Sequence, residues 1–189
     1  CMVLGGKAGP AFWDLDGGLY YSPDGMHTAY VGMAMTGEKE ARDHMMVDGV
    51  SIHQCGYINH HDTVGFTADN KVYFFSATAE DINDSMDCDY FFHYGESVVG
   101  PHYLFFDCLV SPDNCHIAIF SQRERHKRRR QDILILDGKR CSTAATGWSN
   151  HCFSPDSQHH LWEVERKGQE WLLLDGKILF GLSQCNWGA

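Results

Sequence analysis

One tripeptide recurs along the chain and constrains everything else. Ser22-Pro23-Asp24 sits in LYYSPDGMHTAYVG and Thr67-Ala68-Asp69 in VGFTADNKVYFFSA. Ser111-Pro112-Asp113 sits in LVSPDNCHIAIFS and Ser154-Pro155-Asp156 in CFSPDSQHHLWEV. The aspartates are 45, 44 and 43 residues apart. Aromatic and β-branched residues flank each copy, as they flank turns between paired strands. Pro23, Pro112 and Pro155 pre-set φ for a turn, and Asp24, Asp69, Asp113 and Asp156 can hydrogen-bond the backbone two residues on. Ala29-Tyr30, Ala118-Ile119 and Leu161-Trp162 follow the Asp in the same register. The second copy is one residue short, giving Tyr73-Phe74.

A second landmark alternates with the first. Met46-Val47-Asp48-Gly49, Ile135-Leu136-Asp137-Gly138 and Leu173-Leu174-Asp175-Gly176 are apolar runs ending in Asp-Gly. Phe92-His93-Tyr94-Gly95 and Val3-Leu4-Gly5-Gly6 are weaker versions. Asp-Gly suits a type I′ hairpin turn, which needs φ > 0 at both central positions. Each period therefore holds two turns and four strands, a to d. The Ser-Pro-Asp turn joins a to b, and the Asp-Gly turn joins c to d. Four-stranded units repeating every ~40–45 residues are the signature of β-propeller blades. The expected fold is all-β: a single propeller-like domain over 1–189, built of four-stranded antiparallel blades. The half blade is 1–18, and the blades are 19–62, 63–107, 108–146 and 147–189. Nothing patterns as a long helix. The polar segment 36–44 (TGEKEARDH) is at most a helical turn where other copies have a b–c loop.

The pattern apolar-FSPDG-x-x-x-AY followed by apolar-DGK resembles the WD-repeat-like propellers of periplasmic Tol-system proteins. A similar repeat forms the lid of prolyl-oligopeptidase-type enzymes. The resemblance is strongest at 20–31, 109–120, 132–139 and 153–177, and weakest at 78–107. It implies a propeller and brings no catalytic residues, since those enzymes carry their serine in a separate domain. No Trp-Asp pair of the strict WD kind and no G-x-S-x-G elbow occurs here.

The chain begins at Cys1 and reads as processed or cut from something longer. An acylated Cys1 is disfavoured, because Met2-Val3-Leu4 enters a strand-like run at once. The chain opens on a c–d pair, Met2–Gly5 and then Ala11–Leu15, and GLSQCNWGA approaches a further strand a. Four and a half blades do not close in an obvious way. A piece of a larger propeller or a half-ring assembled with another chain is favoured over an isolated closed ring, because unpaired edges invite association.

Composition narrows the partners. The chain has 189 residues, is 43% hydrophobic and carries a net charge of −10. That balance disfavours nucleic acid and anionic membranes. No run reaches the ~20 apolar residues of a membrane helix, and no signal peptide is visible. Bacterial periplasm and cytoplasm both remain open as compartments. The eight cysteines form no CxxC, so buried free thiols are expected rather than a metal or redox motif. No cofactor is expected.

The b–c loops differ most between repeats. In the second blade Glu80, Asp81, Asp84, Asp87 and Asp89 give −5. In the third, Arg123, Arg125, Lys127, Arg128, Arg129 and Arg130, less Glu124, give +5. One reading is a bipolar edge that recruits a protein partner or a second copy of the chain. The plainer reading is two solvated hairpin tips, where an exposed pair contributes only ~0–1 kcal/mol. The acidic loop misses the EF-hand pattern. Among twelve histidines, His60, His61, His151, His159 and His160 are weak metal candidates, with no spacing that repeats. His53 and Cys55 share one face of a strand. The five tryptophans are expected between blades. The reading is a non-catalytic binding or assembly module. The alternatives are a hydrolase lid whose catalytic part lies elsewhere, and a small-ligand or metal binder using a central channel.

Overall fold

The computed structural model describes residues 2–4, 6–35, 41–59, 63–78, 89–122, 132–145 and 147–181. Every regular element among them is a strand. A hairpin, β1 (Val3–Leu4) with β2 (Lys7–Ala8), opens the chain. Sheet I holds β3 (Asp14–Tyr21), β4 (Thr28–Met35), β5 (Ala41–Val47) and β6 (Val50–Cys55). Sheet II holds β7 (Tyr57–Asn59), β8 (Gly65–Phe66), β9 (Val72–Ala77), β10 (Tyr90–Tyr94) and β11 (Ser97–His102). Sheet III holds β12 (Leu104–Val110), β13 (Ile117–Gln122), β14 (Asp132–Leu136) and β15 (Lys139–Ala145). Sheet IV holds β16 (Gly147–Phe153), β17 (His160–Arg166), β18 (Gln169–Leu174) and β19 (Lys177–Gly181). Among the described residues pairing is antiparallel, and no sheet closes on itself.

Three boundaries depart from the sequence reading. The partner of Val3–Leu4 is Lys7–Ala8, not Ala11–Leu15; Asp14 and Leu15 instead pair with Met33 and Gly32 as the start of β3. Ala41–His44 are strand rather than helical turn, drawn into β5 by pairing with β4, while 36–40 lie outside the described residues. The inner strand of sheet II is split: β7 and β8 both pair with β9. Tyr57–Asn59 therefore belong to sheet II.

The chain divides into two compact units, Cys1–Pro101 and His102–Ala189. In the first, strand alternation turns Ala29 and Val31 of β4 and Met45 of β5 toward Ile58, Val64, Phe66, Val72 and Phe74 of sheet II. Tyr30 and Gly32 face the other way, where Phe12 packs edge-on to Tyr30 at 6.3 Å. Asp43 is buried, yet its Oδ2 accepts the Ile58 amide at 2.8 Å, so the carboxylate is hydrogen-bonded across the two sheets. The second unit repeats the plan. Ala118, Phe120 and Leu134 of sheet III cluster with Trp162, Val164 and Leu173 of sheet IV. Full burial of each such large side chain contributes ~1.5–3 kcal/mol.

Candidate functional site

In sheets I, III and IV the two turn types meet at one end and are hydrogen-bonded together. In sheet I, Ser22 Oγ donates to Asp24 Oδ1 at 2.6 Å and accepts the His27 amide at 2.9 Å. The His27 ring then meets Asp48 of the Asp-Gly turn, Nδ1 to Oδ2 at 2.7 Å, while the Thr28 amide donates to Asp48 Oδ1 at 2.9 Å. Sheet III repeats this with Ser111, Asp113, His116 and Asp137, and sheet IV with Ser154, Asp156, His159 and Asp175. In sheet II, Thr67 replaces the serine and Lys71 the histidine. Lys71 pairs with Asp69 and lies 5.6 Å from the Tyr94 ring, because Gly95 leaves no carboxylate there. Asp48-Gly49, Asp137-Gly138 and Asp175-Gly176 have positive φ at both residues, the type I′ requirement. At Gly95 only the glycine does.

These Ser/His/Asp sets have the composition of a catalytic triad and not its wiring. The serine hydroxyl donates to an aspartate rather than to the histidine ring, so the imidazole is not the group that accepts its proton. The charges are instead mutually held. The Ser22, Ser111 and Ser154 hydroxyls keep Asp24, Asp113 and Asp156 below the usual carboxylate range. The bond to Asp48 raises His27, and that to Asp175 raises His159.

The candidate residues chosen by type are dispersed. Glu80, Asp81, Asp84, Asp87, Arg123, Arg125, Lys127, Arg128, Arg129, Arg130, His60 and His61 lie outside the described residues. Asp89 is exposed, and its amide donates to Thr78 Oγ1 at 3.2 Å. His159 is exposed on Asp175, whereas His160 is buried 4.9 Å from the Phe153 ring. His151 places Nε2 2.9 Å from Asp107 Oδ2. Among the described residues no three His, Cys, Asp or Glu side chains converge as metal ligands. Trp162 is core, but Trp13 is 74% exposed, a correction to the expectation for all five tryptophans; it precedes β3 and no sheet covers it. The side chain of Trp148, and Trp187, lie outside the described residues. Cys55, Cys108, Cys115, Cys141 and Cys152 are thiols outside any disulfide. Cys115 and Cys152 are exposed, against expectation, because one sits beside a turn and the other on the outward face of β16.

The feature that residue types did not reveal lies between sheets I and II. A cavity of about 780 Å³ is lined by Ile52, Phe74, Phe91 and Val98, with Ser76, His53, His93 and Cys55 among them. His93 Nε2 is 2.8 Å from Ser76 Oγ. The His93 ring stacks on Phe74 at 4.2 Å and meets His53 at 4.3 Å. Burial pushes His93 down to about 4, helped by the neighbouring His53, and burial lowers His53 as well. The Cys55 thiol is pushed up to about 12, chiefly by burial, and donates to the Tyr57 carbonyl. Both imidazoles are therefore neutral near pH 7. Strand register explains the opening. Ser76 and His93 occupy the places that Val164 and Leu173 hold in sheet IV, where those residues belong to a closed apolar cluster. The signal in the sequence was that histidine in an otherwise apolar column of Met46, Ile135 and Leu173.

No helix among the described residues is long and apolar enough to cross a membrane. No family model matches the chain. No curated protein matches it. It is similar to a solved structure of TolB from Acinetobacter baumannii, with 15% identity, a TM-score of 0.40 and coverage of 87% of this chain and 42% of that one. It is similar to prolyl oligopeptidase B from Galerina marginata, with 10% identity, a TM-score of 0.35 and coverage of 87% and 35%. It is similar to a eukaryotic initiation factor, with 13% identity, a TM-score of 0.33 and coverage of 89% and 54%. The chain thus spans from 35% to 54% of the length of these proteins.

Proposed function

We propose that the chain is a propeller-type, non-catalytic binding and assembly module whose partner is another protein, a second copy of itself first among them. The observation that carries this is a contrast within each repeat. The hydrogen-bonded bracket at the turn end recurs in sheets I, III and IV. The b–c segments of the sequence swing from −5 between β9 and β10 to +5 between β13 and β14. A constant frame with variable connections is how repeat scaffolds carry recognition. The blade reading draws on four-stranded sheets in sequential order, and the triad-like residues are already engaged in the turns.

Light-scattering mass over a concentration series tests the proposal. Self-association that weakens with salt is expected, since exposed charges are screened within ~10 Å at about 0.1 M salt. An Arg128→Glu/Arg129→Glu/Arg130→Glu variant should be monomeric, and mixing it with a Glu80→Lys/Asp81→Lys/Asp84→Lys variant should restore the complex. A strict monomer of 21.4 kDa at every concentration would sink self-assembly.

A further inference from the structure

The cavity between sheets I and II needs an occupant that suits its walls, whatever the b–c loops bind. Its volume, about 780 Å³, falls within the ~300–1,000 Å³ of small-molecule sites. Ile52, Phe74, Ala77, Phe91 and Val98 are five of its fifteen lining residues, and most of its surface is apolar. Arg42 and Glu96 contribute opposite charges, so neither sign of ligand is favoured by charge alone. The two imidazoles sit in surroundings that disfavour their charged forms, and a charged guest would meet the same desolvation cost. His93 commits Nε2 to Ser76, and no hydrogen bond to its Nδ1 occurs among the described residues. A neutral guest can meet that nitrogen with one hydrogen bond while its rings lie against Phe74, Phe91 and the imidazoles. The other unit supplies an internal control, because Val164 and Leu173 sit in an apolar cluster at the corresponding positions. Sheet II departs from that solution at two adjacent places at once, and the polar pair it introduces is buried and mutually hydrogen-bonded.

We propose that this inter-sheet cavity is a binding site for an uncharged, ring-containing, largely apolar small molecule that makes one hydrogen bond to His93.

The full chain is titrated near neutral pH with N-phenyl-1-naphthylamine, an uncharged two-ring dye whose fluorescence rises in apolar surroundings. Saturable one-to-one binding is expected. The Ser76→Val/His93→Leu double variant copies sheet IV and removes both members of the polar pair together, so neither is left unpaired. It should keep or raise the melting temperature and bind the dye about tenfold more weakly or worse. Ile52→Trp, at a half-exposed wall position, should obstruct the cavity without touching the pair and cause a similar loss. The anionic 1-anilinonaphthalene-8-sulfonate and the cationic thioflavin T should each bind about tenfold more weakly than the neutral dye. Non-saturable binding, full affinity in Ile52→Trp, or tighter binding of either charged dye would overturn the assignment.

Discussion

Asn70 Nδ2 donates to Asp24 Oδ2 at 2.8 Å, linking the Ser-Pro-Asp-type turns of sheets I and II across 46 residues of chain. The second unit makes the same kind of link differently: the Asp113 amide donates to Ser157 Oγ at 3.0 Å. Asn70 and Ser157 both directly follow the turn aspartate and both have positive φ, 62° and 60°. That conformation closes each turn and aims the side chain at the turn before it.

Removing that link should cost stability and not binding. Ser157→Ala leaves the Asp113 amide without its partly buried acceptor and should destabilise by about 1 kcal/mol in urea unfolding. Ser157→Gly loses the same hydroxyl but relaxes the left-handed backbone, so its loss should be smaller. Asp113→Ala removes the acceptor for Ser111 Oγ and the Cys115 amide and should lower the melting temperature. If it instead weakened dye binding with unchanged melting, the turn would be part of a site.

Histidines of two kinds should bend the stability–pH curve in opposite directions. His27 and His159 are raised above 6.5 by their aspartate partners. Their contribution is complete below about pH 6.5 and is lost as pH rises through the raised values. His93 and His160 are lowered to about 4, chiefly by burial. Their neutral forms stabilise the fold above about pH 6.5, and that contribution is lost as pH falls toward 4. Melting temperature should therefore fall on the acid side, with His93→Leu flattening that limb, and His27→Ala should flatten the alkaline one. Proton NMR titration of the four rings gives the direct check, and a His93 midpoint near 6.5 would contradict the buried, neutral assignment.

Gly32 is required by a ring rather than by its dihedral angles. A Cβ there would stand 2.5 Å from Phe12 Cδ2. Gly32→Ala should displace Phe12 from sheet I and cost about 1–3 kcal/mol. Phe12→Ala/Gly32→Ala should lose less than the sum of the two single changes, because the clash and its partner go together. Additivity in urea unfolding would show that the two do not touch.

Thiol reactivity should follow exposure and burial. Cys115 and Cys152 are exposed and should label rapidly in the native protein with a disulfide reagent near pH 8. Cys55 and Cys108 are each pushed up to about 12, first by burial, so very little thiolate is present and labelling should wait for unfolding. Peptide mapping by mass spectrometry reads each site separately.

The spacing of Asp24, Asp69, Asp113 and Asp156 made the strands and turns legible, because a turn needs particular residues at particular dihedral angles and the neighbours need only alternate. The bracket was half legible. His27, His116 and His159 occupy the same place after the turn, and each turn is followed by an Asp-Gly, but only the folded hairpins show the ring meeting the carboxylate. Other features depended on what came to lie across the sheets. The split of β7 from β8, the exposure of Trp13 and the seat of Phe12 over Gly32 are set by neighbours distant in sequence. Local composition determined this chain as repeated four-stranded β-sheet. The cavity was decided by tertiary structure alone: Ser76 and His93 form a hydrogen-bonded pair only because β9 and β10 align, and they line a cavity only because sheet I stands opposite.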